Sequence, residues 1–590
     1  MAFPAPASLL AGSSPPAKTV ELPRLTVDTT YVPPRGKTHV VRRGGNFQAA
    51  LDAARPGDVI TLEAGATFTG PYRLPVKPGS EWIVVRSSAP EGRRPPPAWR
   101  RWVRAPPWSG SPESTLPPPG HRVDPAYAPL MPKLVAASAP VIVTAPGAHH
   151  YRFIGIEIRP GGSGKRSTRQ LLRSTWRWIT GANAAAAPTM SFAGQNLVLL
   201  GGNETSVEKL PHHIIFDRCY LHGDPKGGAR RGIAMNSRYT AVVDSYLSDF
   251  KEVGEDAQAI AGWNGSGPFK IANNYLEGAG ENVLFGGADP SIPELVPSDI
   301  EIRGNHFAKP LSWKIGDPNY EGTPWTVKNL FELKNARRVL IDGNLFEYNW
   351  HHAQTGFAIL FTVRNQDGAA PWSVVDSVTF TNNVLRHIGG GVHILGYDNN
   401  HPSQQTRRIH IKNNLFDDVG GVWGRGLLFQ LVDGTADVVI EHNTAMQTDS
   451  IVAGWEQRPH TGFIFANNIA PHNEYGFIGE GTGVGNPSLE RHFPDAIVQR
   501  NVVVGGSAQA YPRDNFFPRS LDDVGFVDRA GGDYRLKGSS RYKNVATNGG
   551  HIGVDFETLR MAMGPGWADD AADATEDRQR SSASRRSSSH

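Results

Sequence analysis

The chain has 590 residues, 39% of them hydrophobic and 20% charged, so it can bury a large core and does not have the composition of a disordered protein. Its 65 glycines and 46 prolines argue against a helical protein and favour a turn-rich β architecture. A net charge of +4 excludes a domain-wide basic field for nucleic acid, and the single cysteine, Cys219, excludes an intramolecular disulfide framework.

Residues 1–35 precede the first recognisable element. The segment NFQAALDAARPGDVITL then predicts a short helix that Asn46 caps, with Phe47 and Leu51 on its apolar face. A Pro-Gly pair stops this helix before the strand VITL. We expect the helix to close one end of the structure that follows.

Two stretches interrupt the pattern of the chain. Residues 93–118 are rich in Pro, Arg and Trp, and residues 163–192 are basic and then alanine-rich. Each is a loop over a functional surface, an arm for a polyanion, or an irregular insertion, and the composition favours the insertion.

An asparagine recurs in one apolar setting every 25–39 residues, as in IANNYL, IDGNLF and IKNNLF. The repeating asparagines are Asn274, Asn305, Asn344, Asn383, Asn414, Asn443, Asn468 and Asn501. The units vary in length and alternate short apolar runs with Gly, Asn and Asp, which is typical of a β-solenoid with one unit per rung. We expect the asparagines to form a hydrogen-bonded ladder within a solenoid over 36–515, followed by a cap region at 516–567 and a low-complexity tail at 568–590.

A six-residue pattern recurs in step with the asparagines: AIAGWN, LFGGAD, LFELKN, LFTVRN, ILGYDN, LFQLVD and IVAGWE. We interpret these words as successive rungs of one strand, with letters two and four inward and letters three and five outward. Adjacent strands lie about 4.8 Å apart. The alignment therefore predicts Lys334 beside Arg364, with Glu332 next to the lysine and Asp398 one rung beyond the arginine.

This outward strip has the character of a binding groove. Trp263 and Trp455 bracket the charged rungs, and flat aromatic faces suit sugar rings or cations. Asn335 and Asn365, which end the two charged words, are further candidates for substrate contact, together with Asp398. The strip predicts an anionic polysaccharide as ligand, and an ordinary solvated β-surface is the alternative.

The helix and the rungs together resemble the pectate-lyase-like right-handed parallel β-helix proteins. The resemblance implies an all-β protein, a right-handed parallel β-helix with a short N-terminal capping helix. Lyases, hydrolases, adhesins and epimerases all use this fold, so the fold does not decide the function.

The centre of the chain is most similar to the alginate lyase and chondroitinase B group of polysaccharide lyases. There a lysine is the base, an arginine on a neighbouring rung stabilises charge, and an Asn with two Glu holds calcium. The resemblance implies Lys334 as base, Arg364 as charge stabiliser and Glu332 as their catalytic neighbour. Glu281, Asn282 and Glu332 are then the expected calcium ligands, a partial match to the group's pattern.

The chemistry of the pair agrees with this resemblance. β-Elimination of a uronate needs a base for the proton beside the carboxylate and a cation for the charge that develops there. A lysine is ordinarily protonated; a guanidinium one strand away favours its neutral form, while Glu332 acts in the opposite direction.

Two alternatives to a lyase remain. One is a non-catalytic carbohydrate-binding or surface-adhesion solenoid; the other is a glycoside hydrolase that uses Glu332 and Asp398 about 9.6 Å apart. In every case we expect a monomer that binds an anionic polysaccharide, with no nucleic-acid partner and no membrane span. The fold favours a secreted or cell-envelope location, although the start MAFPAPASLLAGSS shows no recognisable signal peptide.

Overall fold

The computed structural model describes residues 19–92, 115–137, 140–161, 196–455 and 458–564. Three long parallel sheets run through these residues, and in the body of the protein each coil adds one strand to each sheet. The predicted right-handed parallel β-helix is confirmed. Nearly all crossover connections between parallel strands are right-handed. The insertions predicted at 93–118 and 163–192 and the tail at 568–590 fall almost entirely outside the described residues.

Sheet 1 has fourteen strands, in an order that follows the chain. They are β1 Thr38–Val41, β2 Val59–Leu62, β5 Ile83–Ser87, β8 His149–Ile154, β11 His212–Asp217, β14 Arg238–Val243, β17 Phe269–Ala272, β20 Ser298–Arg303, β23 Ala336–Asp342, β26 Val375–Thr381, β29 Arg407–Lys412, β32 Ala436–Glu441, β35 Ile464–Ala466 and β38 Ile497–Gln499.

Sheet 2 has twelve strands and contains all seven strands predicted from the six-residue words, in the predicted order. Its strands are β4 Tyr72–Leu74, β7 Ile142–Thr144, β10 Asn196–Leu200, β13 Arg231–Met235, β16 Gln258–Gly262, β19 Glu281–Phe285, β22 Phe331–Leu333, β25 Phe357–Thr362, β28 Gly390–Leu395, β31 Phe429–Val432, β34 Val452–Trp455 and β37 Phe477–Gly479.

Sheet 3 has thirteen strands, and a separate antiparallel pair follows it in the chain. The sheet consists of β3 Thr67–Thr69, β6 Lys133–Ala136, β9 Glu157–Pro160, β12 Tyr220–His222, β15 Tyr246–Ser248, β18 Tyr275–Glu277, β21 His306–Ala308, β24 Leu345–Asn349, β27 Val384–Ile388, β30 Leu415–Val419, β33 Thr444–Gln447, β36 Ile469–Pro471 and β39 Val502–Val504. The pair is β40 Phe526–Asp528 with β41 Asp533–Leu536.

The predicted N-terminal helix is present as α1, Phe47–Ala53. The Asn46 side chain accepts the N–H of Ala49 at 3.0 Å, and Phe47 and Leu51 are buried against the first coils. Two further α-helices are described, α2 Asn486–His492 and α3 Phe556–Met563. Short 3₁₀ helices cover Pro125–Leu130, Val207–Lys209, Leu311–Trp313 and Leu521–Val524. No helix in the described part of the chain is long and apolar enough to cross a membrane.

The asparagine ladder is confirmed. In each step the backbone N–H and the side-chain Nδ2 of one asparagine both donate to Oδ1 of the asparagine on the next rung, at 2.9–3.1 Å. The ladder runs through all eight predicted positions and ends one step later, at Asn515. Each buried amide is therefore satisfied at the same corner of every coil.

One continuous apolar core fills the inside of the coils, because the inward positions of each strand stack on those of the next. Phe331, Leu333, Phe361 and Val363, which the sequence placed inside, have no exposed surface. The core therefore fixes which side chains of sheet 2 face outward.

Residues 516–564, the described part of the cap region expected at 516–567, lie along the side of sheet 3. A second apolar cluster joins Tyr534, Tyr542 and Leu559 to sheet 3 residues as far back as Leu345. The Tyr534 hydroxyl donates to Asp417 at 2.6 Å. This segment covers several rungs rather than only the last one.

Candidate functional site

The strands that contain LFELKN and LFTVRN are adjacent, but their register differs from the alignment of the two words. Phe331 pairs with Ile359 and Leu333 with Phe361, so the second word is displaced by two residues. The prediction that Lys334 and Arg364 occupy equivalent positions is therefore wrong. A shift of two preserves the alternation of inward and outward side chains, so the hydrophobic pattern cannot detect it.

Continuing the observed pairing gives the true row of outward positions through Lys334. This row contains Trp263, Gly286, Lys334, Thr362, Leu395, Val432 and Trp455. Both predicted tryptophans and Lys334 do share a row, whereas Arg364 and Asp398 belong to the loops beyond the strands.

Lys334 sits at the end of β22, and its backbone N–H donates to the carbonyl of Phe285 at 2.7 Å. Its side chain is 18% exposed, and Nζ lies 3.8 Å from Oε1 of Glu332. A Cβ atom on Gly286 would lie only 2.8 Å from the Cβ of Lys334, so the glycine leaves the space that the lysine uses. The lysine therefore stands on the outer surface of sheet 2 beside a carboxylate.

Glu332 is outward-facing but nearly buried, with 2% of the residue exposed. The Thr362 hydroxyl donates to its Oε1 at 2.9 Å, and Asn329 Nδ2 donates to its Oε2 at 3.2 Å. Residues at two different strand ends thus each donate a hydrogen bond to one of the two carboxylate oxygens. Glu332 presents a fixed negative charge to Lys334.

Arg364 reaches Lys334 through the backbone, because its N–H donates to the Lys334 carbonyl at 2.9 Å. Its Nη1 donates to Oδ1 of Asp398 at 2.6 Å and also to Asn399. Burial opposes the charge of Asp398, but hydrogen bonds from Asn400, Asn365 and Arg364 lower its pKa. Arg364 is therefore a positioned cation, 24% exposed, whose other guanidinium nitrogens have no protein acceptor among the described residues.

Asn335 and Asn365, expected to contact substrate, are buried and bind backbone instead. The Asn335 amide donates to the carbonyl of Leu295 and accepts the N–H of Val374, both at 3.2 Å. Asn365 likewise donates to a loop carbonyl and accepts a loop N–H. These hydrogen bonds shape the loops after the two strands, and a direct contact of either asparagine with substrate stays a prediction.

The two tryptophans are partly covered. The guanidinium of Arg231 lies 5.2 Å from the ring centre of Trp263. Trp455 packs in an apolar cluster with Phe357 and Leu427. Six strand spacings, about 29 Å, separate the two rings along sheet 2.

Glu281 joins the same electrostatic group as Glu332 and Lys334. It is fully buried; its Oε2 accepts from Gln258 at 2.8 Å, and its Oε1 lies 3.9 Å from Lys328 Nζ. Burial raises the pKa of Glu281, and the nearby Asp256 carboxylate raises it further.

Lys328 and Asp256 were not predicted as a pair, and the structure brings them together with Nζ and Oδ1 at 2.5 Å. Burial opposes the charge of Lys328, but Glu281 and Asp256 outweigh it and raise the lysine's pKa. The two residues are distant in sequence, so no local pattern marks them as partners.

The calcium set implied by the family resemblance is not assembled. Asn282 Oδ1 accepts a hydrogen bond from the buried Lys309 at 3.1 Å, and its Nδ2 donates to the Leu276 carbonyl at 2.6 Å. The amide oxygen and nitrogen of Asn282 therefore both bond to groups other than Glu332.

The oxygen atoms that remain in this region also do not complete a calcium site. The ammonium groups of Lys328 and Lys334 already lie beside Glu281 and Glu332, and both oxygens of Glu332 accept hydrogen bonds. Calcium requires six to eight oxygen ligands, which these residues do not offer. The residues present therefore do not fit calcium, and the mechanism proposed below uses protein side chains alone.

His393 is a further functional candidate that the sequence did not mark. It lies in the outward row of Glu332, two strands away, next to Gln430. Its Nδ1 is 2.8 Å from Oε1 of Gln430, and in the tautomer that donates to this oxygen Nε2 is able to accept a proton. Burial lowers the pKa of His393, so the ring is neutral at pH 7. Only the correct register places this residue in the strip, because it precedes the word ILGYDN.

No protein family model matches the chain, and no curated protein matches it. Solved structures do. An alginate lyase from Paenibacillus sp. str. FPU-7 is 13% identical, with 68% of this chain and 99% of that chain covered at a TM-score of 0.35. The catalytic unit of an α-1,3-glucanase from Streptomyces thermodiastaticus is 13% identical, with 84% and 72% covered at 0.47. A mannuronic acid specific polysaccharide lyase from human gut microbiota is 10% identical, with 82% and 93% covered at 0.41.

Proposed function

We propose that the protein is a carbohydrate-active enzyme that cleaves a uronate-containing polysaccharide by β-elimination. The observation that supports this proposal most strongly is the placement of two cations, Lys334 and Arg364, at one edge of sheet 2 on adjoining coils. Both are partly exposed, and each has a carboxylate that fixes it, Glu332 for the lysine and Asp398 for the arginine. Such a surface suits a polymer with a carboxylate on its sugar rings.

In the proposed reaction a base takes the proton from the ring carbon next to the carboxylate. The electron pair forms a carbon–carbon double bond, and the glycosidic oxygen on the neighbouring carbon leaves with its bonding pair and takes a proton from solvent water, to which the base later returns the abstracted proton. Negative charge collects on the carboxylate as the proton departs. Arg364 stabilises that charge with the guanidinium nitrogens that Asp398 does not occupy.

Lys334 is the base in this proposal. The amine must act in its neutral form, and Oε1 of Glu332 lies 3.8 Å from its Nζ. His393 is a second candidate for the base, since its ring is neutral and its Nε2 is free to accept a proton. The two assignments make different predictions for variants and for pH.

The test is a screen of polymers of mannuronate, guluronate, galacturonate and glucuronate for the near-ultraviolet absorbance of unsaturated uronate ends. We expect at least one polymer to give product with the wild type and none with Lys334→Ala. Lys537→Ala, at an exposed position of the C-terminal segment, is the matched control and should retain full activity.

A non-catalytic carbohydrate-binding solenoid is the alternative, and one observation favours it. The contact with Glu332 holds Lys334 in surroundings that stabilise an ammonium group, which binds an anionic sugar well and is a poor base. In that case the wild type retains anionic polymers without ever producing unsaturated ends, and Lys334→Ala weakens retention.

A further inference from the structure

Histidine doublets occur on two successive strands of sheet 1, away from the site on sheet 2. His149 and His150 begin β8, and His212 and His213 begin β11, with His149 directly paired to His212. The four imidazoles therefore form a two-by-two group on neighbouring coils.

The rings of this group are close and ordered. His149 stacks on His212 with ring centres 4.7 Å apart, and His150 stacks on His213 at 4.4 Å. Within each doublet the two Nδ1 atoms are 2.8 Å and 2.7 Å apart. One ring nitrogen from each of His150, His212 and His213 lies within 4.8 Å of the other two.

The left-handed backbone conformation at this corner recurs on other coils and does not depend on histidine. His150 and His213 have φ angles of +59° and +53°, which places each second histidine beside the first. The equivalent left-handed position on other coils is filled by Tyr239, Asp299, Arg338, Ser377, Arg408 and Asp437. The histidines at both positions of two successive coils are therefore the particular feature of this corner.

Aromatic rings enclose the group on two sides. Trp82 packs against His150 at 5.3 Å, and Tyr239 stacks on His213 at 4.6 Å. Among the described residues, the side-chain hydrogen bonds of the four imidazoles are those within the doublets. The remaining ring nitrogens are free to bind a ligand at a partly exposed surface.

We propose that His150, His212 and His213 bind a divalent transition metal ion as a three-histidine site. Imidazole nitrogen is a preferred ligand of zinc, whose bonds of about 2.1 Å put neighbouring ligand atoms about 3.4 Å apart in a tetrahedron. Small rotations of the side chains reach that spacing from the observed one. The ion would tie β8 to β11, which makes it a structural site separate from the proposed catalysis.

The surroundings agree with neutral ligands. Burial lowers the pKa of His150 to about 4 and that of His212 to about 3, so neither imidazole is charged at pH 7. Arg238, paired with His212 on the next strand, is the nearby charge that opposes a cation.

The test uses full-length protein, without added tag histidines and stripped with a chelator. Zn²⁺ is titrated by calorimetry, and Co²⁺ by visible absorption. We expect one ion per chain, the intense bands of a tetrahedral nitrogen site with Co²⁺, and a higher unfolding temperature with Zn²⁺. His150→Ala and His213→Ala should each lose these three effects.

His213→Phe keeps a ring between His150 and Tyr239 but removes the ligand atoms, so it tests binding if the alanine variant does not fold. The double variant His351→Ala/His352→Ala is the control, because that doublet has no partner doublet on the next coil. Binding retained in His213→Phe, or absent from the wild type at micromolar metal, would mean that the imidazoles form only a stacked ladder.

Discussion

The carbonyl oxygen of Lys334 accepts the backbone N–H of Arg364 at 2.9 Å, although the strands before these residues pair two positions out of step with their matching words. A local irregularity after Leu333 and Thr362 restores the contact. The backbones of the two cationic residues therefore meet just beyond the ends of β22 and β25.

The first prediction concerns the base. If Lys334 removes the proton, Lys334→Ala gives no unsaturated product at any pH, and the wild-type rate rises with pH as the ammonium group loses its proton. His393→Ala then keeps the same pH profile with a reduced rate. The measurement is the initial rate of product absorbance between pH 5 and 10 for the three proteins.

A base at His393 would reverse this pattern. Burial lowers the pKa of His393 below its ordinary 6.5, so the wild-type rate would be constant above that value and fall only in more acidic solution. His393→Ala, and not Lys334→Ala, would then abolish product. His393→Gln distinguishes a lost base from a lost hydrogen bond to Gln430.

The second prediction concerns the cation. Arg364→Lys keeps the charge but loses the planar pair of donors, so we expect kcat/KM to fall by about 100-fold or more. Asp398→Asn should fall less, because Arg364 stays charged but is released from its 2.6 Å contact. Equal activity of Arg364→Lys and wild type would remove Arg364 from the proposed mechanism.

Part of this structure could be predicted from the sequence. The ladder, helix α1 and seven of the twelve strands of sheet 2 follow from local, repeated patterns: a cap, an apolar alternation and an asparagine at a fixed place. The register between Lys334 and Arg364 does not, because a two-residue shift buries the same side chains. His393 was missed for a different reason: ILGYDN is displaced by one residue relative to LFTVRN, and an odd shift exchanges the inward and outward positions.

Contacts between distant segments could not be predicted from the sequence, for a different reason. Lys328 meets Asp256 across two coils, and no spacing rule connects them. Asn335 and Asn365 looked like groove residues, yet buried loop backbone needs hydrogen-bond partners, and their amides supply them. Polar residues at strand ends are thus ambiguous until the loops are known.

The third prediction concerns the ladder. Asn344→Ala leaves the N–H and Nδ2 of Asn305 without their acceptor in a buried corner, so we expect a loss of about 3 kcal/mol in the free energy of unfolding. Asn515→Ala, at the partly exposed end of the ladder, should cost about 1 kcal/mol. Urea unfolding of the two variants and the wild type measures the difference, and equal costs would contradict a cooperative ladder.

The fourth prediction concerns acid stability. Burial opposes the charge of Glu347, but His306 at 2.7 Å and Arg386 at 2.6 Å lower its pKa from 4.5 to about 2. Its contribution is therefore complete above pH 4.5 and is lost as the pH falls towards 2, by about 3 kcal/mol in total.

Glu347→Gln should remove most of this pH dependence, so the variant and the wild type approach the same stability near pH 2. Glu63→Gln is the control, since that side chain is 41% exposed and its contacts, with the Arg43 N–H at 3.0 Å and the Arg43 guanidinium at 4.0 Å, lie at the surface. Unfolding temperatures between pH 2 and 6 provide the measurement, and a parallel decline of Glu347→Gln and wild type would contradict the assignment.

The fifth prediction separates the position of Lys334 from its charge. Gly286 has a φ angle of +97°, and an added Cβ would lie 2.7 Å from the backbone nitrogen of Asn335 and 2.8 Å from Cβ of Lys334. Gly286→Ala must therefore displace the end of β22, and we expect both a lower unfolding temperature and a loss of unsaturated product at least as large as that of Arg364→Lys.

Gly304→Ala is the matched control: its φ is +61° and its Cβ would meet nothing within 4 Å, so it adds only backbone strain of about 1 kcal/mol. Full activity of Gly286→Ala, measured well below its unfolding temperature, would show that the placement of Lys334 over sheet 2 is not required for the reaction.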